Sequence, residues 1–171
     1  MSSGAWKDFR PLDIGRVAKA LEAREVRYVV IGGMAAVAHG MPWQTDDIDI
    51  CPASSTDNLR RLAKALIDLD ARLRAAGLGP AGMKIKLDDT TWKFTPSMTF
   101  TTAAGPLDVN LRPDGTDGYR DLIRAAETRE VEGIAIPVAA LADIARSKEA
   151  AGRPKDLERL PELLRAIRRG G

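Results

Sequence analysis

Apolar positions along the chain follow two rhythms. Leu12, Ile14, Val17, Ala18 and Leu21 recur at helical spacing, and Asp13 stands where a cap belongs, so residues 12–25 predict an amphipathic helix. Val26 to Ile31 is nearly continuous in apolar, β-branched and aromatic residues, as in a buried strand. Gly32 and Gly33 end it. Met34 to His39 then reads as a short alanine-rich helix closed by Gly40, with Met41 and Pro42 just past it. From Thr45 to Cys51 the pattern alternates, which predicts a second strand. Successive strand side chains point to opposite faces, so Ile48 and Ile50 share a core face while Asp47 and Asp49 share the other.

The same reading carries through the rest of the chain. Pro52 to Ser55 form a turn, and Ser55 or Thr56 can cap a helix over 57–76 whose apolar face holds Leu59, Leu62, Ala63, Leu66 and Leu69. Gly77 to Gly82 break it. Met83–Leu87 and Trp92–Phe94 are candidate short strands around a polar turn. Met98–Thr102 and Leu107–Leu111 read as a hairpin, with Leu107, Val109 and Leu111 inward and Asp108 and Asn110 on the opposite face. A helix is expected over 119–128, a short strand pair over 129–138, and a helix over 139–151 closed by Gly152. Pro154, at a tolerated first-turn position, opens a last helix that Pro161 should kink or split. No linker is evident. The expected architecture is one α/β (α+β) domain over residues 1–171. It has a small mixed sheet with helices packed on it (core about 26–138) and a helical C-terminal part (about 139–171).

Composition narrows the chemistry. With 171 residues, 44% hydrophobic and 29% charged, the chain can bury a proper core. The net charge is only +2, although residues 145–171 hold eight Lys or Arg against four Asp or Glu. That excess slightly favours an RNA partner; a solvated basic face is the plainer reading. One cysteine, Cys51, excludes an intramolecular disulfide and a multi-cysteine metal site, and the single His39 excludes a multi-histidine zinc site. His39 itself reads as a helix-end residue before a catalytic one. A metal here would be a hard, oxygen-ligated cation such as Mg²⁺ (or Mn²⁺). No apolar run approaches the ~20 residues of a membrane span. Met1 to Asp8 lacks the charged-then-apolar pattern of a signal peptide, so the expected location is the cytoplasm.

Two carboxylates side by side on one strand face repel each other unless a cation sits between them. A solvated edge strand is the alternative for Asp47 and Asp49. Asp46, just before them, is expected to face solvent. Asp108, on a separate strand, would complete a three-carboxylate cluster of the kind that metal-assisted phosphoryl transfer uses. Gly32 and Gly33, between strand and helix, would let the backbone approach an anion, or simply form a tight turn. No Walker loop follows, because no Gly-Lys-Ser/Thr is present there.

The order Ile31-Gly32-Gly33, then Asp47-Ile48-Asp49-Ile50, then Leu107-Asp108-Val109 resembles the nucleotidyltransferases of the polymerase-beta-like superfamily. Leu141-Ala-Asp-Ile-Ala-Arg-Ser-Lys148 and Gly152-Arg-Pro-Lys-Asp156 look like the C-terminal signature of its small bacterial toxin–antitoxin and abortive-infection members. The likeness runs from about Val26 to about Leu164. Asp46 departs from it where an apolar residue is usual, and Gly33 where many members have Ser. The resemblance implies that Asp47, Asp49 and Asp108 bind Mg²⁺, with Asp108 also the general base. It implies that Gly32 and Gly33 contact the phosphates, that Lys148 reaches the triphosphate, and that Asp156 orients Lys148 or closes the site. A surface ion pair worth about 0–1 kcal/mol is the alternative for Lys148 and Asp156. The implied activity is transfer of NMP from an NTP to an acceptor hydroxyl, releasing pyrophosphate. A toxin–antitoxin component acting on tRNA is the leading acceptor reading. An antitoxin-type enzyme modifying a partner toxin protein, a small-molecule acceptor such as an aminoglycoside, and a catalytically silent nucleotide- or partner-binding member are the alternatives.

Overall fold

A computed structural model describes residues 10–170; the N-terminal segment read above against a signal peptide lies outside them. In chain order the elements are α1 (Ile14–Ala23), β1 (Tyr28–Ile31), α2 (Gly32–Ala38), β2 (Ile48–Pro52), α3 (Thr56–Asp68), β3 (Arg72–Leu73), β4 (Ser97–Thr102), β5 (Gly105–Asn110), α4 (Tyr119–Leu122), β6 (Glu127–Val131), β7 (Ile134–Val138), α5 (Leu141–Ala151) and α6 (Pro154–Arg168). The strands form one mixed sheet in the order β3-β4-β5-β2-β1-β7-β6. Only β2 with β5 and β1 with β7 run parallel; the other neighbours are antiparallel. No helix among the described residues is long and apolar enough to cross a membrane.

The alternation read from β2 and β5 decides which face is core. Ile48, Ile50, Leu107 and Val109 are fully buried, together with Val29 and Val30 of β1. Leu21 of α1 and Leu62 and Leu66 of α3 are buried in the same cluster, so α1 and α3 supply the apolar cover for the sheet. Asn58 is the one fully buried polar side chain at their junction. Its amide donates to the Arg27 carbonyl at 2.9 Å and the Ala53 carbonyl at 2.8 Å, and its oxygen accepts the Arg27 N–H at 2.8 Å. Every polar atom it carries into the core is thereby used, which is the condition for burying an amide.

Four expectations of local structure change. The α3 helix stops at Asp68 instead of reaching residue 76, because Asp70 takes φ 50° and the chain turns into β3, which pairs with β4. Met83–Leu87 and Trp92–Phe94 are not strands. Only Met83 bridges to Leu73, and the turn beyond is closed by side chains: Asp88 Oδ1 accepts the Thr90 N–H at 2.8 Å, and Thr91 Oγ1 accepts the Asp88 N–H at 2.9 Å. The α4 helix is a single turn, because residues from Glu127 onward pair with β7 across a hairpin whose two loop residues, Glu132 and Gly133, both have positive φ. Finally, α6 runs unbroken through Pro161; the carbonyl four residues back belongs to Leu157, which is 49% exposed and can turn to water.

Candidate active site

The β2–β5 pairing places the acidic residues. These strands run parallel with Asp49 directly opposite Asp108, and Asp47 lies one residue before β2 begins. One carboxylate oxygen from each of Asp47, Asp49 and Asp108 lies within 4.8 Å of the other two. Thr45 Oγ1 donates to Asp47 Oδ1 at 3.2 Å and so orients that carboxylate. Asp46 is exposed, as its position outside the alternation predicts.

Gly32 is required by this arrangement. It opens α2 with φ +66°, and a Cβ there would run into the Asp49 carboxylate. Gly33 has no such conflict; its nearest neighbour would be Thr45 Oγ1 at 3.4 Å. The α2 helix ends at His39, whose ring N–H donates to the Ala139 carbonyl at 2.8 Å and ties α2 to the start of α5. That contact occupies His39 at a helix end, away from the acid cluster.

The electrostatics of the cluster are unfavourable as it stands. Burial pushes the Asp49 carboxyl up to about 8, helped by its contact with Asp108 and by the charges of Asp108 and Asp47, while Lys148 pulls the other way. Burial also raises Asp108. Asp108 Oδ1 is buried with no hydrogen-bond partner among the described residues. Oxygens on one octahedral Mg²⁺ at ~2.1 Å stand ~3.0 Å apart when adjacent and ~4.2 Å when opposite, so the three carboxylates would close in on a cation they hold. An orphaned oxygen, all-oxygen donors and mutual repulsion together fit a divalent cation.

Lys148 and Asp156 come together at the corner between α5 and α6, where Gly152 closes α5 in the left-handed conformation. Lys148 Nζ lies 3.3 Å from Asp156 Oδ1, and Arg153 Nε donates to Asp156 Oδ2 at 2.6 Å. Asp156 is only 4% exposed. Burial alone would raise its carboxyl, but the hydrogen bonds from Arg153 and Lys148 outweigh that and hold it below the ordinary carboxylate range. This is a buried ion pair and not the surface pair offered as the alternative.

A cavity of about 870 Å³ joins the two groups: Gly32, Gly33, Asp47, Asp49, Asp108, Lys148 and Asp156 all line it. A smaller lobe of about 280 Å³ adjoins it and shares Gly32, Asp49, Asp108, Lys148 and Asp156. All seven residues singled out from the sequence therefore meet at one place. Sequence reasoning passed over Arg10, Arg74, Arg153, Lys155 and Arg159, which make the cavity wall basic. Arg153 and Lys155 sit inside the quoted motif, and Arg159 is three residues past Asp156, on the same helix face. Nothing in the local sequence marks Arg10 or Arg74.

No family model and no curated protein matches this chain. Among solved structures, it is similar to TM1012 of Thermotoga maritima, described as a proposed nucleotidyltransferase (TM-score 0.55, 16% identity, 88% of this chain and 89% of that one). It is also similar to the lincosamide antibiotic adenylyltransferase LnuA in its lincomycin-bound form (TM-score 0.59, 15% identity, 90% and 98%). The chain has a nucleotidyltransferase-like fold. The antibiotic-resistance factor ANT(2'')-Ia shares it as well (TM-score 0.57, 14% identity, 92% and 82%). At these identities the likeness is one of fold, and a fold by itself does not fix the chemistry.

Proposed function

We propose that the chain acts as a single-domain, metal-dependent nucleotidyltransferase that moves NMP from an NTP to an acceptor hydroxyl. The observation that carries this is the register of Asp49 against Asp108, with Asp47 beside them, on the floor of a basic cavity. Asp47, Asp49 and Asp108 would hold Mg²⁺ or Mn²⁺, and a cation there would neutralise charge that develops on the reacting phosphate. Lys148 binds the triphosphate, and Asp156 fixes the direction of Lys148. Gly32 and Gly33 let the phosphates approach the backbone. Asp108 takes the proton of the acceptor hydroxyl. As the acceptor oxygen bonds to the α-phosphorus, the bond from that phosphorus to the bridging oxygen breaks and pyrophosphate leaves. Positioning does most of the work in such a reaction.

For the acceptor, we place an RNA end first, with tRNA the leading candidate and a toxin–antitoxin setting its context. Arg10, Arg74 and Lys155 extend the basic wall beyond Lys148 and suit a second polyanion. A cognate toxin or antitoxin protein could present the hydroxyl instead. A small-molecule hydroxyl is the second reading, and it is favoured by the likeness to LnuA and ANT(2'')-Ia. The test is incubation with each α-labelled NTP and Mg²⁺, with total RNA, a cognate protein or lincosamide and aminoglycoside acceptors in separate arms. Label on one acceptor class supports that reading. No transfer in any arm, with the Asp47→Ala Asp49→Ala double variant indistinguishable from the parent, would overturn the enzyme.

A further inference from the structure

Trp43 has no part in the chemistry described so far, yet two cations that line the cavity, Lys148 and Arg159, lie over its ring. The loop between α2 and β2 carries it four residues before Asp47. The Arg159 guanidinium lies 4.7 Å from the indole centroid and Lys148 Nζ 5.8 Å from it. The indole N–H donates to Glu162 Oε2 at 2.8 Å. Glu162 is three residues from Arg159 on α6 and would be its natural ion-pair partner; it serves the indole instead. Of Lys148, Arg153 and Arg159, the first two share Asp156, whereas no carboxylate among the described residues lies within 4.0 Å of Arg159. Arg159 also reaches Gly33: Nη1 is 4.0 Å from where a Cβ on Gly33 would stand.

We propose that Arg159, held over the ring of Trp43, is a second triphosphate-binding cation of this site, and that Trp43 is its positioning residue. The inference rests on the nucleotidyltransferase reading for the identity of the anion. A guanidinium that stacks on an aromatic face keeps its N–H donors in the plane, free for phosphate oxygens. Lys148 and Arg153 spend much of their charge on Asp156; that leaves Arg159 and Lys155 as the α5–α6 corner's cavity cations without an ion pair among the described residues, and of these two Arg159 is the one held by Trp43. Arg159 and Gly33 line the same cavity as the acid cluster, and Nη1 close to Gly33 puts that charge where a phosphate beside the cluster would meet it. The Trp43–Glu162 bond fixes the ring, and through it the loop leading to Asp47 is tied to α6.

The experiment is calorimetric titration of the full chain with Mg²⁺-ATP and with inorganic tripolyphosphate, alongside nucleotide KM and kcat in the transfer assay. Arg159→Ala should weaken both ligands at least about tenfold, the scale of a charge-assisted contact, and raise KM with little change in kcat. Trp43→Phe keeps an aromatic face but frees Glu162 to pair with Arg159, so it should lose affinity yet less than Trp43→Leu, which should approach Arg159→Ala. Melting curves of all variants exclude unfolding, and Arg159→Lys, which keeps the charge, should fall between parent and Ala. Parent-like affinity of Arg159→Ala, or equal losses in Trp43→Phe and Trp43→Leu, overturns the proposal while leaving the nucleotidyltransferase reading intact. Triphosphate binding that depends on Arg159 without transfer to any acceptor supports this proposal and overturns that reading. A parent chain that binds neither ligand overturns both.

Discussion

The molecule buries carboxylates in two places and treats them oppositely. At the α5–α6 corner, Asp156 receives Lys148 and Arg153 and is held below the ordinary carboxylate range despite being 4% exposed. On the sheet, Asp49 and Asp108 face each other with no cation among the described residues in ion-pair contact, and burial drives both upward. A buried charge is tolerated when its partner is built in and is a liability when it is not. The first cluster is complete in the protein, so its value is architectural: it sets the direction of Lys148. The second has no such partner among the described residues, and a bound cation of the kind proposed above would supply one. The difference separates the residues that should matter to stability from those that should matter to turnover.

The largest expected effect comes from the incomplete cluster. Asp49→Asn or Asp108→Asn should lower nucleotidyl transfer at least about 10³-fold, the upper range for losing one preorganised electrostatic partner. The same variants should melt higher than the parent when metal is chelated, because a neutral amide removes the repulsion. Labelled-NTP transfer and melting in EDTA check the two signs together. A variant that loses activity and stability in parallel would make the acid cluster a structural feature and end the contrast.

Asp156→Ala should behave in the opposite sense. It leaves Lys148, 13% exposed, without its partner, whereas Arg153, 75% exposed, turns to water; losing one partner of a buried pair costs at most about 3 kcal/mol here. Chemical denaturation measures this directly. Activity should fall less, about 10–100-fold, because Lys148 loses its orientation but keeps its charge. A stable, inactive Asp156→Ala would move Asp156 from positioning to direct contact with the substrate.

Much of this contrast was legible in the residues. Alternation in Asp47–Ile48–Asp49–Ile50 and Leu107–Asp108–Val109 separated core from site face, and the strand pairing puts Asp49 beside Asp108. Glycine after β1 pointed to the turn, although not to the contact between Gly32 and Asp49 that demands it. The failures share a cause. The α3 helix was extended through Arg72 to Ala76 because helix formers continue there, but pairing with β4 overrides local propensity. Thr128 was assigned to a helix for the same reason, and its place opposite Pro137 is a tertiary choice. Arg74, on the loop after β3, and Arg10, before α1, reach the cavity only through the fold, so no local pattern could mark them.

The two clusters should also differ in how stability follows pH. Asp49 is raised from an unfolded value of 3.8 to about 8, so between those values the folded chain holds the extra proton. Its effect on stability is absent below pH 3.8, grows unfavourable as pH rises, and levels off above about 8. Asp156 is lowered, so its stabilisation is present above the unfolded pKa and is lost only as pH falls through the folded one. The melting temperature of metal-free protein should therefore drop by on the order of 10 °C between pH 5 and pH 8. Mg²⁺ should cancel that slope, and Asp49→Asn should abolish it. A slope that survives Asp49→Asn assigns it to other groups.

The smallest effect on stability is the most local test. Gly32→Ala forces a side chain into a left-handed backbone position, which costs about 1–2 kcal/mol, and melting should fall by only about 2–8 °C. The added Cβ also runs into the Asp49 carboxylate, whereas nothing near Asp156 is touched. The displaced carboxylate can no longer face Asp108 as the β2–β5 register sets it. Transfer activity should consequently fall about 10²-fold, the scale of a misplacement of about an ångström, and far more than the stability loss accounts for. Gly33→Ala supplies the matched control, since its Cβ meets nothing closer than 3.4 Å and its φ is not positive. Equal activity losses at the two glycines would mean that the Gly32–Asp49 approach has no special role in arranging the acid cluster.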